Sequence, residues 1–95
     1  MTDDLDALRS EIDALDREIV GLLNRRARLA LEIATTKTRS GRAIIDLDRE
    51  REVLVRVAMA NEGPFPQDAL LALYRQLMET ITRLEEMQKP GSKST

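Results

Sequence analysis

The chain has no cysteine, no histidine and no tryptophan, and its 95 residues include a single tyrosine and a single phenylalanine. Without cysteine there is neither a disulfide framework nor a thiolate metal site. Without histidine the commonest general base and the commonest metal ligand are both missing, so any catalysis here proceeds without them. With aromatic residues at 2%, the core must be aliphatic. No apolar run approaches the roughly 18 residues of a membrane span, and the acidic start at residues 1–6 lacks the basic and apolar regions of a signal peptide. A cytoplasmic protein is expected. Charge of one sign is lacking too: fifteen basic residues against seventeen acidic ones leave a net charge of -2, too balanced for a protein that holds nucleic acid by neutralising phosphates.

What is present is helix former. Leu, Ala, Glu and Arg dominate, which predicts an all-α fold. A chain this short buries a modest share of its surface when it folds alone, so a partner chain is expected. The organising stretch is Leu5, Leu8, Ile12, Leu15, Ile19, Leu22, Arg26, Leu29 and Ile33, spaced alternately three and four apart, the pattern of one helical seam facing another helix. Asp3 or Asp4 can cap this helix, which then runs to about Arg39 with Gly21 as its one weak point. At 1.5 Å per residue it is about 50 Å long, more than a monomer of this size can cover.

Residues 40–42 end that helix, and Ala43 to Leu47 form a link in which Ile44 and Ile45 can anchor. A second, short helix starts near Asp46 or Asp48 and continues to about Ala60, with Leu47, Glu50, Leu54 and Val57 on one stripe. The run from Asn61 to Pro66 is a firm break. A third, medium helix spans about Gln67 to Met87, with Leu71, Tyr74, Met78, Ile81 and Glu85 in register. One helical domain over residues 1–88 is expected, followed at 89–95 by a disordered tail or the beginning of a linker.

Three charges, Arg26, Glu50 and Glu85, fall on apolar stripes, one per helix. Singly each has an ordinary explanation: Arg26 as an interface arginine with a buried stem, Glu50 as an ion-pair partner for Arg26 or Arg49, Glu85 as a near-terminal residue close to solvent. Together they point to a shared polar cavity. Lys37 follows Arg26 by eleven residues, about 16 Å along the helix, and returns to nearly the same face. Arg9 precedes Arg26 by seventeen residues, about 25 Å, so it reaches the same small ligand only from a second chain whose first helix runs antiparallel. Arg9, Arg26, Lys37 and Arg49 in one cavity suit a small polyanion such as a dicarboxylate. There is no glycine-rich phosphate loop to suggest a nucleotide. Fixed cations with no evident nucleophile or base suit chemistry that needs orientation and electrostatics.

The chain resembles the all-α (AroQ-type) chorismate mutases. The likeness is carried by Leu8-Arg9 with Ile12, Leu15 and Asp16; Leu22-Leu23 before Arg25-Arg26; Ile33 to Lys37; Asp46 with Arg49-Glu50-Arg51; and Tyr74-Arg75 leading to Glu79 and Glu85. The run from Ala60 to Phe65 further resembles the subgroup fused to the N-terminus of the synthase that makes 3-deoxy-arabino-heptulosonate 7-phosphate. This resemblance implies an intertwined, three-helix homodimer with two equivalent sites, turning chorismate into prephenate on the way to phenylalanine and tyrosine by a Claisen rearrangement that needs neither cofactor nor metal. It implies that Arg26 and the partner chain's Arg9 clamp the carboxylates. Lys37 meets a carboxylate and the ether oxygen, Glu50 and the Asp46 backbone hold the ring hydroxyl, and Arg49 orients Glu50 or a carboxylate. It also raises the expectation of association with the heptulosonate-phosphate synthase.

Two positions depart from the family. Where many members have serine near the ring carboxylate this chain has Ile81, so that contact is missing or comes from Thr80 or Thr82. Where others have glutamine it has Glu85, which donates a hydrogen bond to the ether oxygen only when protonated. Three other readings remain at this level: an isochorismate pyruvate lyase, a domain of or for the synthase that senses prephenate or chorismate, and a helical dimerisation domain without a ligand.

Overall fold

The structure, a computed structural model, describes residues 4–39 and 45–88. It is all-α: α1 spans Asp4–Arg39, α2 Leu47–Ala60 and α3 Gln67–Met87. The 36 residues of α1 carry Asp4 and Asp6 in the first turn and Lys37 and Arg39 in the last, matching both ends of the helix dipole. Gly21 does not interrupt it. The expected helix end at residues 40–42, the anchor at Ile44 and the tail at 89–95 lie outside the described residues. Ile45, the other expected anchor, is more than half exposed on the chain by itself. Among the described residues no helix is long and apolar enough to cross a membrane.

Asp46 begins α2. Its backbone is extended and its carboxylate accepts from the Arg49 N–H at 3.1 Å, which satisfies one of the free amides of the first turn. The helix ends at a connector organised by Asn61. The Asn61 amide nitrogen donates to the Phe65 carbonyl (2.9 Å) and to Gln67 Oε1 (2.8 Å), and its oxygen accepts from the Gly63 N–H (3.0 Å). Gln67 in turn donates at 3.1 Å to the Ala58 carbonyl, one of the last-turn acceptors of α2, which also receives the Asn61 N–H at 3.4 Å. Gly63 has φ 76°, in the left-handed region that suits glycine. The side chains of the break thus fasten α3 to the end of α2.

α3 packs against both α1 and α2, whereas α1 and α2 do not pack directly on each other among the described residues. The buried core is small: Ala34 from α1, Met78 and Ile81 from α3. The face that α1 turns to its own chain is a line of small residues, Ala27, Ala30 and Ala34 with Leu31, which lets the backbones approach closely. The leucine and isoleucine seam is a different face. Leu8, Ile12 and Leu22 are 57%, 56% and 60% exposed, left uncovered by the described residues of the same chain. The radius of gyration is 17.4 Å, against about 12 Å for a compact domain of this length. Leu47, expected on the buried stripe of α2, is likewise exposed.

Asn61→Ala removes the three bonds that its side chain makes in the connector while leaving both helices their apolar faces. We expect it to lower unfolding free energy by about 1–3 kcal/mol with little change in native helicity, measured by urea denaturation followed by circular dichroism at fixed protein concentration.

Candidate active site

A cavity of about 300 Å³ opens where the C-terminal third of α1 meets α2 and α3. From α1 it takes Arg26 and Lys37, with Leu29, Ala30 and Ile33 between them. Eleven residues and three turns bring the two cations to one side of the helix, as the spacing requires. From the start of α2 come Asp46, Arg49 and Glu50, with Val53 one turn further on. From α3 come Met78, Ile81, Thr82 and Glu85. Seven of the eight residues singled out in the sequence therefore line one hollow. The eighth, Arg9, is exposed and lies about 25 Å along α1 from Arg26.

Arg26 stands where the two faces of α1 meet. It belongs to the seam through Leu22 and Leu29, and to the inner face through Ala30 and Ala34. It is half-buried, and its guanidinium lies 6.0 Å from the centre of the Tyr74 ring, at the outer limit of a cation-π contact. Neither Arg26 nor Glu50 has an ion-pair partner among the described residues. Glu50 is thus not the structural counterion of Arg26, nor of Arg49, which pairs instead with Glu52 at 3.6 Å on the exposed side of α2. Charges that could have neutralised one another are instead held around an open space.

Glu85 is the residue whose acidity the site changes. Burial pushes its carboxyl above the usual carboxylate range; Lys37 and Arg26 pull the other way, and Glu50 and Glu86 add to the rise. A carboxyl with a raised folded pKa contributes its stability below the unfolded value and loses it as pH climbs through the folded one. Burial thus makes the Glu85 carboxyl hold its proton more tightly than an exposed one, against the pull of the two cations beside it. Three basic side chains, Arg26, Lys37 and Arg49, line the hollow, which is thereby suited to an anion.

The sequence reading missed two features of the site and left a third open. Tyr74 appeared as a member of an apolar stripe and of the Tyr74-Arg75 motif but not as a site residue, although it stands under Arg26. Val53 follows Arg49 and Glu50 by one turn, a spacing that would have placed it. Thr82 was one of two alternatives; Thr80 is exposed and its hydroxyl accepts from Gln76 at 3.3 Å, away from the cavity.

Residues 8–86 match the family model described as chorismate mutase type II. The chain is similar to a solved chorismate mutase of Thermus thermophilus (form II), at 37% identity and a TM-score of 0.87, covering 92% of this chain and 99% of that one. It is also 38% identical over 91 residues to a bifunctional chorismate mutase/prephenate dehydratase of Aquifex aeolicus, and 36% identical over 92 residues to one of Pseudomonas aeruginosa. The matches cover 92% of this chain and 25% of each of those proteins, so the chain spans about a quarter of their length. These relatives join the mutase to prephenate dehydratase. They overturn both the expected likeness to the subgroup fused to heptulosonate-phosphate synthase and the expected association with that synthase. The residues 60–65 that suggested it are the last residue of α2 and the turn towards α3, where glycine and proline serve the break itself.

Since Arg26 forms no ion pair among the described residues, removing its charge is not expected to weaken the fold. Arg26→Leu should leave the unfolding midpoint unchanged or raise it, the loss of the Tyr74 contact costing at most about 1 kcal/mol. A larger fall in thermal or urea stability would mean that the arginine is structural.

Proposed function

Because the chain belongs to the type II chorismate mutase family, we propose that it converts chorismate to prephenate in a cavity completed by a second copy of itself. The observation that carries this reading is the convergence of Arg26 and Lys37 from α1, Arg49 and Glu50 from α2, and Glu85 from α3 on one hollow. The reaction is an isomerisation: one carbon–oxygen bond breaks and one carbon–carbon bond forms within the same molecule, with no proton gained or lost. What a protein can supply is a reactive conformation and stabilisation of the charge that gathers on the ether oxygen.

Arg26, together with Arg9 of the partner subunit, grips the two carboxylates and holds the flexible dianion in its chair-like, diaxial shape. Lys37 lies between a carboxylate and the ether oxygen. Glu50 and the Asp46 backbone take the ring hydroxyl, and Arg49 fixes Glu50 or a carboxylate. Glu85, as the neutral acid, donates to the ether oxygen, and that bond strengthens as the carbon–oxygen bond lengthens. Ile81 is 5% exposed in the core, so it shapes the wall as an apolar residue.

The partner is a second copy for two reasons. The exposed seam of α1 begins near Leu5, far beyond the reach of α2 or α3, and an antiparallel copy of the same seam matches it in length and character. The same arrangement carries Arg9 back over the distance that separates it from Arg26.

Two experiments test the reading. Arg9→Ala and Arg26→Ala are each expected to lower kcat/KM for chorismate by at least about 100-fold. Mixing and refolding them together should restore about a quarter of wild-type activity, the share of intact sites in a freely exchanging two-fold dimer; no recovery would place Arg9 outside the site. Turnover should fall as pH rises through the raised pKa of Glu85, because the ionised carboxylate can no longer donate and repels the developing charge. Glu85→Gln should flatten that profile, and a profile the variant leaves unaltered would remove Glu85 from the role.

A further inference from the structure

We propose that Thr82 is a substrate-binding residue, its hydroxyl donating to a carboxylate oxygen of the bound dianion. The proposal rests on the reading of the cavity as a chorismate site. Among the described residues, every cation of that cavity comes from α1 or α2. The α3 wall offers Met78, Ile81, Thr82 and Glu85, so an anion leaning on it meets two apolar side chains, a carboxyl that repels it once ionised, and one hydroxyl. Thr82 is the only uncharged hydrogen-bonding side chain among the described residues that line the hollow, and of the four that α3 contributes to it the one donor that does not depend on pH. Without it, a carboxylate oxygen pressed against Met78 and Ile81 is stripped of water and left unpaired.

The hydroxyl is also available. Other threonine hydroxyls among the described residues are tied down: those of Thr35 and Thr36 donate to the Leu31 and Glu32 carbonyls at 3.0 and 3.1 Å, and Thr80 accepts from Gln76. The Thr82 hydroxyl makes no hydrogen bond among the described residues, and its oxygen is not sealed away from solvent. The residue also borders a second groove on the other flank of α3, beside Arg75 and Glu79. It therefore sits in the partition between the two hollows, and its hydroxyl can turn towards either.

Thr82→Val keeps the shape and deletes the donor; Thr82→Ser keeps the donor; Thr80→Val makes the same chemical change outside the cavity. In the full dimeric chain, Thr82→Val should raise KM for chorismate about tenfold with kcat changed by no more than about twofold, the pattern of a contact made equally in ground and transition states. It should weaken prephenate binding, measured by calorimetry, by a similar factor. Thr82→Ser and Thr80→Val should keep wild-type KM and prephenate affinity, and all three should keep the wild-type melting temperature within a few degrees. Wild-type KM and prephenate affinity in Thr82→Val, or an equal loss in Thr80→Val, would overturn the proposal while leaving the chorismate reading intact. A wild-type protein that binds prephenate without turning over chorismate would overturn the catalytic reading instead, and the prephenate affinities of the variants would still decide the role of Thr82. If the wild type binds neither, both fall.

Discussion

A guanidinium on an apolar helix face is tolerated only where something pays for its desolvation, and in this chain no carboxylate does so for Arg26 among the described residues. The rest of the structure can be understood from that constraint. Arg26 sits where the inner, alanine-lined face of α1 meets the outer, leucine-rich one, so its head group emerges at the cavity that Lys37 and Arg49 also line. The Tyr74 ring supports it from α3 without neutralising it. Its charge is left for a ligand.

α3 is the element that makes the cavity possible. α1 and α2 do not pack on each other among the described residues, and each is positioned through α3. The side chains that meet at the centre of that brace, Ala34, Met78 and Ile81, are the buried core, and the cavity begins immediately beside them. Packing and chemistry share the same turns of helix: Met78 and Ile81 fill the core on one side and wall the cavity on the other. The connector fixed by Asn61 and Gln67 sets where α3 starts, and so which of its turns faces Lys37 and Glu50.

Much of this was legible in the residues alone. The spacing of three and four marked the bounds of α3, the start of α2 was narrowed to a cap at Asp46 or Asp48, of which Asp46 is the one used, and misplaced charges led to Arg26, Glu50 and Glu85 because a charge on an apolar stripe is a strong signal. The alanine face of α1 was not legible, since alanines contribute little to a hydrophobic pattern dominated by the neighbouring leucines. The exposure of Leu47 and Ile45 was not legible either, because periodicity identifies an apolar face without saying whether the same chain covers it. Tyr74 was hidden by its own stripe: a tyrosine at helical spacing looks like core until the facing helix is known. The fusion context was misjudged because a Gly-Pro break is dictated by the local turn, and the same turn serves whatever domain follows.

The uncovered seam has a consequence beyond catalysis. A helix that leaves most of its apolar stripe in water has little reason to stay folded when it is alone, so ordering and pairing become one equilibrium set by how much polypeptide is present. Dilution alone can then unwind such a helix, although no bond within the chain has been altered.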